Sequence, residues 1–172
     1  IMAKGILEIK RQIRSIQNTK QITKAMEMVA ASKLRKAQNF AEAARPYADK
    51  LKEVISNIAA STSDISHPML ESREVKKTAY VVITSDSGLA GGYNANLLRM
   101  LMDRIREEHR DDDYAIFVAG RKGRDFFNKR NVPILGEVTG LPDSPEFSDI
   151  QAIASKAVEL FATEEVDEVN LV

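Results

Sequence analysis

Residues Ile6 to Ile58 read ILEIKRQIRSIQNTKQITKAMEMVAASKLRKAQNFAEAARPYADKLKEVISNI. Steps of three and four residues from Ile6 pass through sixteen positions, and thirteen of these positions are apolar. In order they are Ile6, Ile9, Ile13, Ile16, Lys20, Thr23, Glu27, Ala30, Leu34, Ala37, Ala41, Ala44, Ala48, Leu51, Ile55 and Ile58. A repeat of about 3.5 residues keeps one face of a helix against a partner helix, so it predicts half of a left-handed coiled coil. At about 1.5 Å per residue the helix would measure roughly 80 Å, longer than a small domain is wide.

The apolar face of this predicted helix shifts sideways near its middle. A second apolar row, formed by Ile22, Met26 and Val29, begins one step round from the polar part of the repeat. A simple homodimeric coiled coil rarely shows such a shift, and the adaptable side chain of methionine favours a contact surface here. Further along, Pro46 predicts either a kink or the first turn of a second helical piece.

Charge is distributed unevenly along a chain that is neutral as a whole. Residues 1–60 hold twelve Lys and Arg against five Asp and Glu, whereas the remainder holds thirteen against twenty. The excess indicates an acidic partner for the helix, although a solvated helix face would show the same excess. Nucleic acid is not expected as the partner, because the basic residues are spread round the helix without the aromatic residues that stack on bases.

After the helix the sequence changes from a helical period to alternating strands and helices. We predict a long helix over residues 1–60, a connector over 61–74 and a Rossmann-like parallel α/β domain over 75–172. The predicted strands are Thr78–Thr84, Tyr114–Ala119, Val132–Val138 and Glu168–Val172, and the predicted helices are Asn94–His109, Arg121–Arg130 and Asp149–Ala162. The fold class is therefore α/β. Because the last strand has nothing after it and the long helix has no mate, we expect either a further, C-terminal helix of the same protein as its partner or other chains that supply what is absent.

Composition excludes several kinds of site. The 172 residues contain no cysteine, which rules out disulfides, thiolate metal ligands and a cysteine nucleophile. The longest uncharged run, Ser87 to Leu98, is far shorter than the ~20 apolar residues that cross a bilayer. The carboxylates at residues 111–113 lack the spacing of a metal site and are interpreted as a solvated turn. No catalytic residue, metal or cofactor is predicted.

One glycine-rich turn is the best candidate for ligand chemistry. It runs from Ser85 to Asn94 as SDSGLAGGYN, between a predicted strand and a predicted helix, where backbone N–H groups can hold a phosphate. It lacks the Lys-Ser/Thr ending of a P-loop and the spacing of the dinucleotide fingerprint. We therefore interpret the turn as structural. Its residues of interest are Ser85, Asp86, Gly88, Gly91 and Gly92.

Three stretches together resemble a known family. Residues 16–19, IQNT, and residues 22–37, ITKAMEMVAASKLRKA, closely resemble the N-terminal helix of the γ subunit of F-type ATP synthase. Arg45-Pro46-Tyr47 and the turn from Ser85 to Asn94 are similar to two further stretches of that family. The resemblance extends over nearly the whole chain in order. Ala90 stands where some members have cysteine, which favours a bacterial member.

The resemblance implies a non-catalytic rotor shaft. In this family the N- and C-terminal helices form an antiparallel coiled coil inside a ring of α and β subunits, and the α/β domain binds the ε subunit and the membrane c-ring. Proton-driven rotation of the c-ring is thereby coupled to conformational change at the catalytic sites of the ring, where ATP is synthesised or hydrolysed. A peripheral location on the cytoplasmic side of the bacterial plasma membrane is implied. The residues expected to contact the ring are Lys20, Lys24, Met26, Val29, Lys33, Arg35 and Lys36.

Two other functions stay open on the residues alone. One is a nucleotide-binding α/β enzyme with a coiled-coil oligomerisation arm, in which bulky residues at Gly91 and Gly92 would abolish nucleotide binding. The other is a coiled-coil adaptor that self-associates through the Ile6 to Ile58 repeat and docks through its α/β domain.

Overall fold

The computed structural model describes residues 5–61, 67–110 and 112–172. The chain divides into two compact units, Ile1–Asn57 and Ile58–Val172. The predicted connector lies partly outside the described residues, at 62–66. The mixed α/β fold with a long N-terminal helix, predicted from the sequence, is confirmed.

The first helix, α1, extends over Ile6–Ser61 without a break. It begins where the carbonyl of Gly5 accepts hydrogen bonds from the N–H groups of Glu8 and Ile9. The predicted alternative of a second helical piece starting at Pro46 is wrong, since the helix continues on both sides of that residue. Proline has no N–H for the carbonyl of Glu42, and water can satisfy that carbonyl because the whole helix is exposed.

The α/β unit contains a parallel sheet of four strands. These are β1 at Thr78–Ile83, β2 at Tyr114–Ala119, β3 at Ile134–Val138 and β4 at Glu168–Leu171. Their order is β3-β2-β1-β4, and every pair of neighbours is parallel. The helices between them are α2 at Tyr93–Glu108, α3 at Arg121–Asn128 and α4 at Phe147–Ala162, and a short 3-10 turn lies at Pro68–Leu70. Each boundary in this unit falls within two residues of its prediction.

The sheet order places the helices on both faces of the sheet. Helices α2 and α3 cover one face, where Leu101 and Phe127 pack on Tyr80 and Ile116. Helix α4 covers the other face through Leu160 and its neighbours. Connections between parallel strands are right-handed. The chain moves across the sheet in one direction from β1 to β3, which puts α2 and α3 on one face. It then moves in the opposite direction from β3 to β4, which puts α4 on the other face.

Turns with left-handed backbone end two of the helices. After α4, the N–H of Glu165 reaches the carbonyl of Leu160 and the N–H of Glu164 reaches that of Phe161, with Glu164 at φ 62°. The same Schellman arrangement follows α3, with Asn131 at φ 53°. It explains why β3 starts at Ile134 rather than at the predicted Val132, whose N–H still bonds to the carbonyl of Phe127.

Arg73 and Asp167 join the segment before β1 to the turn before β4. The Nε atom of Arg73 lies 2.9 Å from Oδ1 of Asp167, and its guanidinium also donates to the carbonyls of Phe161 and Val166. The other carboxylate oxygen of Asp167 accepts the N–H groups of Lys76 and Lys77, each at 3.0 Å. These two backbone hydrogen bonds, followed by the nearby guanidinium, lower the pKa of Asp167 from its ordinary value.

We expect Glu164→Gly to raise the free energy of unfolding by about 0.5–1 kcal/mol. Glu164 is held at φ 62°, which costs energy in any residue with a Cβ atom and none in glycine. The measurement is urea denaturation followed by tyrosine fluorescence. Asn131→Gly is the matched control and should gain less, because asparagine tolerates the left-handed region. A loss of stability in Glu164→Gly would contradict the explanation.

We expect Asp167→Asn to destabilise the α/β unit by about 1–3 kcal/mol at neutral pH, because it weakens charge-assisted hydrogen bonds. The folded pKa of Asp167 is depressed, so its stabilising contribution is complete above the unfolded value of about 3.9. That contribution is lost as the pH falls through the folded pKa.

Denaturation curves from neutral pH downward should therefore show the wild-type advantage shrinking only below about pH 4. Glu74→Gln, which removes an exposed carboxylate from the same segment, is the control and should have little effect at any pH. A difference between Asp167→Asn and wild type that stays constant through the acid range would refute the role of the carboxylate charge.

Candidate functional site

Helix α1 presents an apolar face that no described part of the chain buries. No residue of α1 is buried, and the exposed fractions are 47% for Met26, 57% for Val29 and 59% for Leu34. Eleven Lys and Arg accompany five Asp and Glu along it. An exposed apolar stripe of this length on a basic helix is typical of a surface that other helices or subunits cover.

The seven residues predicted to contact the ring all lie on α1, but they do not share one face. At about 100° per residue, Lys20, Lys24 and Arg35 fall within one sector of the helix. The remaining four fall on the opposite side; they are Met26, Val29, Lys33 and Lys36. A partner assembly that touched all seven would therefore have to surround this part of the helix.

Two threonines in the same region turn their hydroxyl groups onto the helix backbone. Thr19 Oγ1 donates to the carbonyl of Ser15 at 3.0 Å, and Thr23 Oγ1 donates to the carbonyl of Thr19 at 2.8 Å. Their polar groups are satisfied within the helix, so each threonine can offer its methyl group to a partner. The polar interruption of the apolar repeat at Thr23 is thus smaller than its residue type suggests.

The glycine-rich turn connects β1 to α2, and its polar groups bond to one another. The N–H of Ser85 donates to Asn94 Oδ1 at 3.0 Å, and Asn94 Nδ2 donates to Ser85 Oγ at 2.8 Å. The hydroxyl of Ser85 donates in turn to the carbonyl of Ser87 at 2.7 Å. The side chains of Ser85 and Asn94 are therefore occupied in closing the turn.

Asp86 ties together three connections at the carboxyl edge of the sheet. Its Oδ1 accepts the N–H of Arg121, the first residue of α3, at 2.8 Å. Its Oδ2 accepts the N–H of Gly140, after β3, at 2.8 Å. A carboxylate at a helix N-terminus takes the position where a phosphate would otherwise be held. The N-terminus of α3 therefore already has an anion from this chain, the carboxylate of Asp86.

The predicted glycines are less confined than two that the sequence analysis did not single out. Gly91 has φ 57° with open space around it, and a side chain at Gly88 would meet only the end of Lys122. By contrast, a Cβ atom at Gly120 would lie 2.1 Å from the carbonyl oxygen of Thr84, and one at Gly123 would lie 2.6 Å from Val118. In the sequence, Gly120 stands between a predicted buried strand and a predicted helix. That position could have indicated that glycine is required there.

The described parts of the chain show neither a cluster of metal ligands nor a helix that could span a membrane. There, no three His, Asp or Glu side chains are grouped as metal ligands would be. None of the helices described combines the length and apolar character that a bilayer crossing demands. The predicted solvated turn at 111–113 lies partly outside the described residues, because Asp111 is not described.

Fold and surface together define the class: a parallel α/β protein that carries one long exposed amphipathic helix. A family model described as ATP synthase matches residues 5–172, so the chain belongs to that family. The ATP synthase gamma chain of Brevibacillus brevis is 63% identical over 171 residues, which are 99% of this chain and 60% of the relative. The chain thus spans about 60% of the length of this curated relative. The γ-family resemblance noted in the sequence is confirmed.

Solved structures show the same fold. A chain from the central stalk and c-ring structure of the Tetrahymena thermophila mitochondrial ATP synthase matches with TM-score 0.69 and 27% identity, over 87% of this chain and 63% of that one. A chain from the rotor of the Euglena gracilis mitochondrial ATP synthase matches with TM-score 0.61 and 18% identity, over 94% and 54%. At 18% identity the second match supports the fold alone.

We expect Asp86→Asn to destabilise the α/β unit by about 1–3 kcal/mol, because an amide cannot accept both backbone N–H groups. Thermal unfolding followed by circular dichroism checks this. Ser87→Ala, in the same turn, is the matched control and should change stability by less than about 0.5 kcal/mol. Equal melting temperatures for Asp86→Asn and wild type would show that the carboxylate does not hold the three connections together.

Proposed function

We propose that this chain forms part of the central rotor shaft of an F-type ATP synthase. The shaft couples proton-driven rotation of a membrane c-ring to conformational change at the catalytic sites of the α/β ring, for ATP synthesis or hydrolysis. The observation that carries the proposal is 63% identity to an ATP synthase gamma chain over 99% of this chain. The unbroken exposed helix α1 has the form that the role requires.

The proposed role is mechanical, with no catalytic residue or cofactor in this chain. A helix of 56 residues that turns inside a ring would touch each surrounding subunit differently at each angle. Contacts shift a conformational equilibrium only when they differ in strength between the states, so asymmetry of the shaft is the property that matters. The surface of α1 is uneven, because the side with Lys20, Lys24 and Arg35 differs from the side with Met26 and Val29, and this supports such asymmetry.

The proposed contacts with the ring are the seven α1 residues Lys20, Lys24, Met26, Val29, Lys33, Arg35 and Lys36. The four lysines and the arginine among them would meet acidic side chains of the ring. Met26 and Val29 are exposed and apolar, so they would gain stability from burial in it. Their distribution over two sides of α1 supports a partner that encloses the helix.

The α/β unit is proposed to bind the ε subunit and the c-ring, and α1 to pair with a C-terminal helix of the same protein. The matched Tetrahymena structure is of a central stalk with its c-ring, and the matched Euglena structure is of a rotor. Because the 63% identical relative is bacterial, we place the assembly on the cytoplasmic side of a bacterial plasma membrane. Within the α/β unit, the proposed role of Ser85, Asp86, Gly88, Gly91 and Gly92 is to shape the turn.

The test is reconstitution with the α and β subunits of a bacterial ATP synthase. The chain is mixed with them, passed through size exclusion, and ATP hydrolysis is assayed in the peaks. One copy per ring should co-elute and alter hydrolysis. Lys24→Glu, Lys33→Glu and Lys36→Glu together should weaken co-elution, by about tenfold or more, through like-charge repulsion. Release of the wild-type complex by about 0.5 M salt would agree with this electrostatic origin.

The matched control reverses three exposed basic residues of the α/β unit, at Lys76, Arg110 and Lys156, and should co-elute as the wild type does. A second chain, extended with the part of the Brevibacillus gamma chain that this chain does not match, runs in parallel. If only the extended chain co-elutes, the paired helix is required for binding. If neither chain co-elutes, the shaft proposal is refuted.

A further inference from the structure

Helices α2 and α3 lie side by side on the same face of the sheet and leave a groove between them. Two adjoining hollows of about 280 Å³ each follow this groove. Its apolar floor contains Leu98, Met102 and Phe126, of which Leu98 is buried and the other two are half-buried. The groove belongs wholly to the α/β unit and includes none of the α1 residues discussed above.

The walls of the groove are strongly basic. Five cationic side chains line it, against the two carboxylates of Asp103 and Asp125. The five are Arg99, Arg106, Lys122, Lys129 and Arg130. The unit that carries this groove belongs to the acidic part of the chain, so the local excess opposes the charge around it.

Ion pairs inside the protein do not neutralise this excess. Asp103 pairs with Arg106 at 3.1 Å, and Asp125 pairs with Arg124, outside the groove lining, at 2.9 Å. Among the described residues, no carboxylate lies within ion-pair distance of Arg99, Lys122, Lys129 or Arg130. Four cations therefore face the groove with their charge available to a ligand.

Arg130 is held in position by the aromatic residue of the floor. Its Cζ atom lies 3.6 Å from the centre of the Phe126 ring, and its Nη1 donates to the carbonyl of Phe126 at 3.3 Å. A guanidinium fixed over an aromatic ring loses less side-chain entropy when it binds a carboxylate than a free one does. The site thus has one preorganised cation and three more on long side chains around it.

We propose that this groove binds an acidic amphipathic helix of a partner protein. The apolar row of such a helix would lie on Met102 and Phe126, and its carboxylates would reach Arg99 on one wall and Arg130 on the other. Recognition of a helix in a groove uses this combination of apolar anchors and flanking charge. Because the groove is separate from α1, the proposal does not depend on the shaft contacts.

Two other ligand classes fit less well. A membrane surface is broad and flat and would not reach a half-buried floor between two helices, and the two carboxylates in the walls would repel anionic lipid. A nucleic acid fits less well, because the lining offers one aromatic side chain, Phe126, for the stacking of bases, and the carboxylates of Asp103 and Asp125 would repel phosphates.

The test measures binding of a synthetic peptide to the 172-residue chain. The peptide is about four helical turns long, with leucine along one face and glutamate on the flanks, and it carries a quencher. Since the chain has no cysteine, Asn128→Cys provides one attachment point for a fluorophore, at the end of α3. Quenching in about 0.1 M salt should saturate, and binding should weaken as salt is added.

Arg99→Glu combined with Arg130→Glu should weaken peptide binding by about tenfold or more. The matched control, Lys76→Glu combined with Lys156→Glu, changes the net charge by the same amount and should leave binding within about twofold. A peptide with glutamine in place of every glutamate should not bind. Phe126→Ala should also weaken binding, and a melting curve for each variant shows that it is folded.

Three results would overturn the proposal. One is the absence of saturable quenching by the glutamate peptide. The second is that the peptide binds the wild type and the Arg99→Glu, Arg130→Glu variant with equal affinity. The peptide would then lie on another basic surface such as α1. The third is that the chain binds phosphatidylserine vesicles but not the peptide, and that the Arg99→Glu, Arg130→Glu variant binds the vesicles more weakly. The groove would then recognise a lipid surface.

Discussion

One physical constraint governs α1: nothing among the described residues covers its apolar side chains. Alanine, lysine, arginine and glutamate favour α1 locally, but helical propensity alone gives only marginal stability in water. Burial against a partner stabilises such a helix more, by about 25 cal/mol for each Å² of apolar surface removed from water. The repeat from Ile6 to Ile58 therefore suits contacts with other helices.

The α/β unit has two buried apolar clusters of its own, and contacts at the carboxyl edge of its sheet join its connections. Gly120 allows the backbone after β2 to pass against the carbonyl of Thr84, where any side chain would clash. Asp86 then uses both carboxylate oxygens to hold the start of α3 and the residue after β3. Similar edges bind phosphate in many α/β enzymes, but here the anion at the helix end comes from the protein itself.

The two basic surfaces differ in how they could be recognised. The lysines of α1 stand in one continuous helix and are visible as a charge excess in residues 1–60. The α2–α3 groove draws Arg99 from α2 and Arg130 from the turn after α3, about thirty residues apart in an acidic part of the chain. Only the packing of α2 beside α3 on the same face of the sheet brings these residues together.

Much of the fold could be predicted because its signals are local. The 3.5-residue repeat predicts the long helix, and short β-branched runs such as Tyr80 to Ile83 predict buried strands, since side-chain periodicity follows from backbone geometry. Relations between distant residues could not be predicted in this way: β4 beside β1, the pairing of Arg73 with Asp167, the need for glycine at Gly120, and the basic groove between α2 and α3. A linear pattern records which residues prefer helix, strand or turn, whereas these contacts depend on how the elements pack in three dimensions.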